Sequence, residues 1–197
     1  MGKGRLEAFS DGVLAIIITI MVLEPHAPNE TDIAALGPLL PVLLSYVLSF
    51  VFLGIYWNNH HHMLAACTRR VTGAILWANL HLLFWLSLVP FVTAWMGKHP
   101  FVSTPAALYG VVLLMAGIAY LILQRQILRS EGPDSVLALT LGRDLKGKFS
   151  PLLCAMAIGG AFAHPGIAYI LYLLVALIWL IPDRRIERAM SDASMRS

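Results

Sequence analysis

Six long apolar blocks, with little charge inside them, decide what this chain can fold into. They run over about 6–23, 39–59, 71–95, 105–124, 149–163 and 165–181. Most are near the ~20 residues that cross ~30 Å of hydrocarbon at 1.5 Å per residue. The fifth is short, and only the turn AHPG around His164 and Pro165 parts it from the sixth. Charged residues make up 13% of the chain, hydrophobic ones 58%, and the mean hydropathy is +0.75. A soluble domain carries roughly a quarter of its residues charged. Membrane-spanning strands would need alternating polarity with no edge left open, and the blocks do not alternate. The expectation is an all-α integral membrane protein, a single domain over residues 1–197 with six transmembrane helices.

The basic residues give the orientation. Of 14 Lys and Arg, only Lys98 falls between blocks on one side. Lys3 and Arg5 precede or open the first helix, and Arg69 and Arg70 lie between the second and third. Arg125, Arg129, Arg143, Lys146 and Lys148 lie between the fourth and fifth, and Arg184, Arg185, Arg188 and Arg196 follow the sixth. The positive-inside rule then places both termini in the cytoplasm. The net charge of +3 and pI near 9.0 need no nucleic-acid partner, because topology and anionic lipid account for the basic residues. The first block has no small-residue cleavage site and reads as a helix rather than a signal peptide. Cys67 and Cys154 are far apart and read as buried small hydrophobes, not as a disulfide or a metal clip. The tripeptide NET at 29–31 is a weak glycosylation match, and VLALTLG in the loop 125–148 reads as a short interfacial helix.

Polar groups inside the blocks are the functional candidates, since they are costly in hydrocarbon. On the first helix Gly12, Ile16, Thr19, Ile20 and Leu23 fall on one stripe, with Asp11 well over about 90° from Ile16. If the stripe faces a pore, Asp11 points into its own bundle toward His60, His61 or Asn79. The alternative is that Ser10 or Asp11 caps the helix. Thr19 either bonds back to the i−4 carbonyl of Ala15 or, in several copies around an axis, forms a ring of hydroxyls among rings of branched apolar side chains. The run YWNNHHHM ends the second helix with Trp57 as a buried anchor. Its three adjacent histidines point in different directions, so polar contacts fit it better than a metal site. Asn79 and His81 lie within the third helix, which Pro90 kinks or loosens near its outer end. His81 fits either a proton relay or a satisfied buried histidine. Residues 110–117, GVVLLMAG, suit a small-residue packing face.

Three of these motifs carry a family resemblance. Arg5, Phe9, Ser10 and Asp11 form an RxxxFSD pattern; Tyr56 and Trp57 with His60 and His61 follow, and then Asn79-Leu80 through Pro90. In that order they resemble the family of transmembrane protein 175, the endolysosomal potassium channel, and its prokaryotic relatives. The likeness covers residues 5 to about 95. It implies a homotetramer of six-helix subunits with the first helices lining a central pore and no TVGYG filter. Ile16 then forms the pore constriction, Ile20 and Leu23 further apolar rings, and Thr19 the ring that aids K⁺ over Na⁺ selectivity. Arg5, Phe9, Ser10 and Asp11 would form a structural polar cluster with Trp57, His60 or His61, and Asn79. On an ideal helix Arg5 falls on the pore stripe rather than beside Asp11.

The resulting expectation is a potassium-permeable channel of a prokaryotic cell membrane, not an enzyme. It needs no cofactor or metal, with K⁺ as permeant ion and a proton leak along the same path. Its partners are its own copies, membrane lipid and monovalent cations. A secondary transporter of a small cation or metabolite is the alternative. A membrane metal enzyme using His60, His61 and His62 lacks suitable ligand spacing.

Overall fold

The computed structural model describes residues 2–29, 31–65, 71–132 and 145–180, the side chains of 145–148 excepted. Every regular element among them is helical. The helices are α1 (Lys3–Met21), α2 (Leu40–Ala65), α3 (Gly73–Ser87), α4 (Val89–Lys98), α5 (Ser103–Glu131), α6 (Leu145–Ala163) and α7 (Pro165–Leu180), with a 3-10 helix over Ile33–Leu39 leading into α2. Three stretches are long and apolar enough to cross a membrane: Ile33–Ala65, Gly73–Lys98 and Ser103–Glu131. The apolar parts of α6 and α7 are shorter, and α1 carries Lys3, Arg5, Glu7 and Asp11 in its first three turns.

Several boundaries differ from the expected ones. The third block is two helices, broken at Leu88 just before Pro90, which has no N–H to give and sits in the first turn of α4. The turn keeps its backbone bonds, Leu88 N–H to Trp85 C=O and Val92 N–H to Leu88 C=O. α2 does not stop at the histidines but runs on to Ala65, whose carbonyl accepts from Lys3 Nζ at 2.9 Å. α5 extends to Glu131, shortening the expected loop from its start. The segment VLALTLG, Cys67, Arg69, Arg70, Arg143, Arg184, Arg185, Arg188 and Arg196, and Glu30 of the NET tripeptide, lie outside the described residues.

The helices run up and down. Lys3 beside Ala65 puts the start of α1 at the end of α2, and Lys98 Nζ to Glu24 Oε2 at 2.9 Å puts the end of α1 at the end of α4. α1 packs on α2, α3 and α4; α5 packs on α3, α4 and α6; and α7 closes against α6, α5 and α2. Two glycines set close approaches. A Cβ on Gly97 would lie 2.9 Å from the Val42 backbone, and one on Gly110 would collide with the Tyr172 hydroxyl and with Ile158 at 2.8 Å. The small-residue face of α5 is therefore a packing surface at Gly110. Inside the bundle, Ser49 Oγ lies 2.7 Å from Thr93 Oγ1 and 3.0 Å from the Tyr109 hydroxyl. Among the described residues, no buried side-chain nitrogen or oxygen lacks a partner, as hydrocarbon surroundings require.

Candidate functional site

The site begins with the two faces of α1. Leu6, Ser10, Leu14, Ile17 and Met21 recur at spacings of four, four, three and four and are buried against the bundle. The opposite face is bare. Ile16 is 59% exposed and Leu23 70%, with Thr19 and Ile20 exposed between them. The structure thus groups Ile16, Thr19, Ile20 and Leu23 on one side of the subunit. Leu23 belongs to the turn after Met21 rather than to the helix, its N–H bonded to the Ile20 carbonyl. Gly12 shares this side.

Thr19 bonds back to its own helix, but to the i−3 carbonyl of Ile16 at 2.9 Å, not to that of Ala15. The consequence is chemical. The hydroxyl proton is spent on a backbone carbonyl, so only oxygen lone pairs remain for whatever approaches this face.

The inner face is held by a directed chain of hydrogen bonds. The Asn79 Oδ1 can only accept, so His60 Nε2 donates to it at 2.7 Å. Asn79 Nδ2 donates to Ser10 Oγ at 3.0 Å, and Ser10 donates to the Leu6 carbonyl at 2.9 Å. All three side chains are buried. The chain ties α1, α2 and α3 together near the end that carries the N-terminus.

Asp11 is not part of that chain. It is exposed, and its Oδ1 accepts from Trp57 Nε1 at 3.0 Å. The expectation that it points into the bundle toward His60, His61 or Asn79 is corrected by simple rotation. Ser10 marks the buried face, and the next residue lies about 100° further round, on the flank beside α2. Being opposite the bare stripe did not make Asp11 buried, because the helix has a third side. Nor do Ser10 and Asp11 cap α1, which begins at Lys3 and places both mid-helix. Trp57 is half exposed rather than a buried anchor, and His61 stacks on it with ring centroids 6.0 Å apart. Arg5 lies within the helix and is exposed, as is Phe9, so neither joins the Ser10 chain.

Other candidates are placed as follows. His81 accepts at Nε2 from Trp85 Nε1 at 2.9 Å and is half-buried, a side chain with a local partner. Cys154 is buried and free. Among the described residues no three His, Cys, Asp or Glu side chains group as metal ligands. Sequence reasoning missed the Lys3 bond to Ala65, the Glu24–Lys98 pair and the Ser49–Thr93–Tyr109 hydroxyls. Only the last left a trace, as hydroxyl residues inside apolar blocks.

Comparison with known proteins places this arrangement. The family described as endosomal/lysosomal potassium channel TMEM175 matches residues 5–90. A protein of Chryseobacterium sp. (strain P1-3) named potassium channel is 53% identical over 192 residues, spanning 98% of this chain and 100% of that one. The human protein named endosomal/lysosomal proton channel TMEM175 is 36% identical over 87 residues, 38% of this chain and 17% of its own length. The crystal structure described as a lysosomal potassium-selective channel TMEM175 homolog from Chamaesiphon minutus superposes with a TM-score of 0.76 at 26% identity, covering 91% of this chain and 96% of that one. On the strength of the full-length bacterial match, the chain belongs to the TMEM175 family of ion channels.

Proposed function

We propose that the protein is a potassium-permeable channel of a prokaryotic plasma membrane. In this reading it is a homotetramer with both termini cytoplasmic and four copies of α1 around the ion path. The observation that carries it is the bare row of Ile16, Thr19, Ile20 and Leu23 on a helix whose other face is buried. A subunit leaves such a face free for its own copies. The bacterial relatives named potassium channels support the choice of ion.

In the tetramer, Ile16 forms the narrow apolar ring, with Ile20 and Leu23 as further rings toward the outside. A neck of this kind gates by dewetting. Thr19 lies between these rings. Its proton is committed to the Ile16 carbonyl, so four lone-pair-bearing oxygens replace part of the shell of a partly dehydrated cation. One hydroxyl ring discriminates less sharply than stacked carbonyl sites, so selectivity for K⁺ over Na⁺ is modest. Protons share the path, in keeping with animal relatives named proton channels. The Ser10–Asn79–His60 chain is the scaffold that keeps each α1 turned toward the axis. The break at Leu88 suits a secondary transporter; against it, the Leu88 and Val92 N–H groups stay bonded within the helix pair.

The test is thiol access in a background lacking Cys67 and Cys154. Cysteine at Ile16 or Ile20 reacts with a charged thiosulfonate and blocks K⁺ current, while cysteine at Ile17 or Met21 does neither. Block from the Ile17 and Met21 positions instead would remove α1's bare face from the ion path.

A further inference from the structure

A cavity of about 60 Å³ lies between α2, α5, α6 and α7, away from the bare face of α1. It is lined by Phe52, Tyr56, Leu121, Cys154, Val175 and Trp179, among others. Its volume is less than half of the roughly 150 Å³ that holds one benzene ring, so it takes only a few methylene groups. The polar groups along it are already engaged. The Tyr56 hydroxyl donates to the Leu113 carbonyl at 3.4 Å, Asn59 Nδ2 to the Ile55 carbonyl at 2.8 Å, and Trp179 Nε1 to Ser150 Oγ at 2.6 Å. A water there would lack the two to four polar partners it needs. Gly117 keeps the space open, since a Cβ on it would meet only the Tyr56 hydroxyl, at 3.7 Å.

One end of the cavity is basic. Leu114, Leu121 and Arg125 fall on one side of α5, with Arg125 exposed one turn beyond Leu121 and Arg129 exposed a turn further on. A dry apolar slot ending at fixed positive charge matches a molecule with a hydrocarbon tail and an anionic head. We propose that the cavity holds a short segment of one acyl chain of an anionic phospholipid, whose negatively charged headgroup lies at Arg125. The site is separate from the ion path, so it stands or falls independently of the channel assignment.

The experiment is native mass spectrometry of the detergent-purified full chain, titrated with dioleoylphosphatidylglycerol or dioleoylphosphatidylcholine. Wild type retains phosphatidylglycerol in preference to phosphatidylcholine. Gly117→Leu, which fills the slot, loses more than about tenfold in affinity for both lipids, while Gly117→Ala binds as wild type. Arg125→Gln loses roughly fivefold in affinity for phosphatidylglycerol and less for phosphatidylcholine, whose choline offsets the phosphate charge. Phosphatidylglycerol also slows N-ethylmaleimide labelling of Cys154 in a Cys67→Ser background, a readout that holds even if Gly117→Leu fails to fold. Equal phosphatidylglycerol binding by wild type and a folded Gly117→Leu, or Cys154 labelling indifferent to that lipid, overturns the acyl site. Unchanged lipid preference in Arg125→Gln overturns the headgroup assignment.

Discussion

Replacing Asn79 by alanine removes the centre of the buried chain that anchors α1. Two interhelical hydrogen bonds go at once, from His60 at 2.7 Å and to Ser10 at 3.0 Å. Between membrane helices such bonds contribute about 0.6–1.7 kcal/mol each, which gives ~1–3 kcal/mol together. The losses are unequal. Ser10 keeps its bond to the Leu6 carbonyl, whereas His60 Nε2 is left buried without an acceptor. Most of the cost therefore falls on the histidine, whose desolvation alone is worth about 1–3 kcal/mol. At about 2–4 °C per kcal/mol for a chain of this size, the melting temperature in mild detergent, followed by circular dichroism, falls by roughly 2–12 °C. Ser10→Ala removes one interhelical bond rather than two and leaves Asn79 Nδ2 buried without its acceptor, at a cost of about 1–3 kcal/mol. The double variant costs less than the sum, because the two residues share a bond. An Asn79→Ala protein melting within a degree of wild type would refute the buried chain as an anchor, as would strict additivity with Ser10→Ala.

Two further predictions concern packing and the far end of α1. Gly110→Ala drives a methyl group into the Tyr172 hydroxyl and Ile158 and destabilises by about 1–3 kcal/mol, while Gly117→Ala, with open space around it, is neutral or stabilising by up to ~1 kcal/mol; the two melting temperatures should move apart. Lys98→Ala breaks the pair with Glu24, but both side chains are substantially exposed, so the cost is about 0–1 kcal/mol and fades as salt is raised.

The helices were legible because hydrocarbon leaves few options: a long apolar block without alternation is a helix. Pro90 marked the break between α3 and α4 through its missing N–H. The stripe of Ile16, Thr19, Ile20 and Leu23 along α1 also followed from its helical spacing, and these side chains lie exposed on one side. Partners were harder to read. Asp11 and Ser10 are adjacent in sequence, yet one is exposed on Trp57 and the other is buried on Asn79. A turn of about 100° decides between them, and no local signal says where the neighbouring helices stand. The end of α2 was hidden for a similar reason. Three histidines look like a terminus, but they are ordinary helix residues, and α2 runs on past them to Ala65, whose carbonyl accepts from Lys3, distant in sequence.

The most direct measurement is passive K⁺ and Na⁺ flux from liposomes holding wild type, Ile16→Ala or Thr19→Ala protein. Wild type should pass K⁺ in preference to Na⁺, Ile16→Ala should raise the flux of both, and Thr19→Ala should narrow the preference. If both variants conduct as wild type does, the bare face of α1 does not form the ion path.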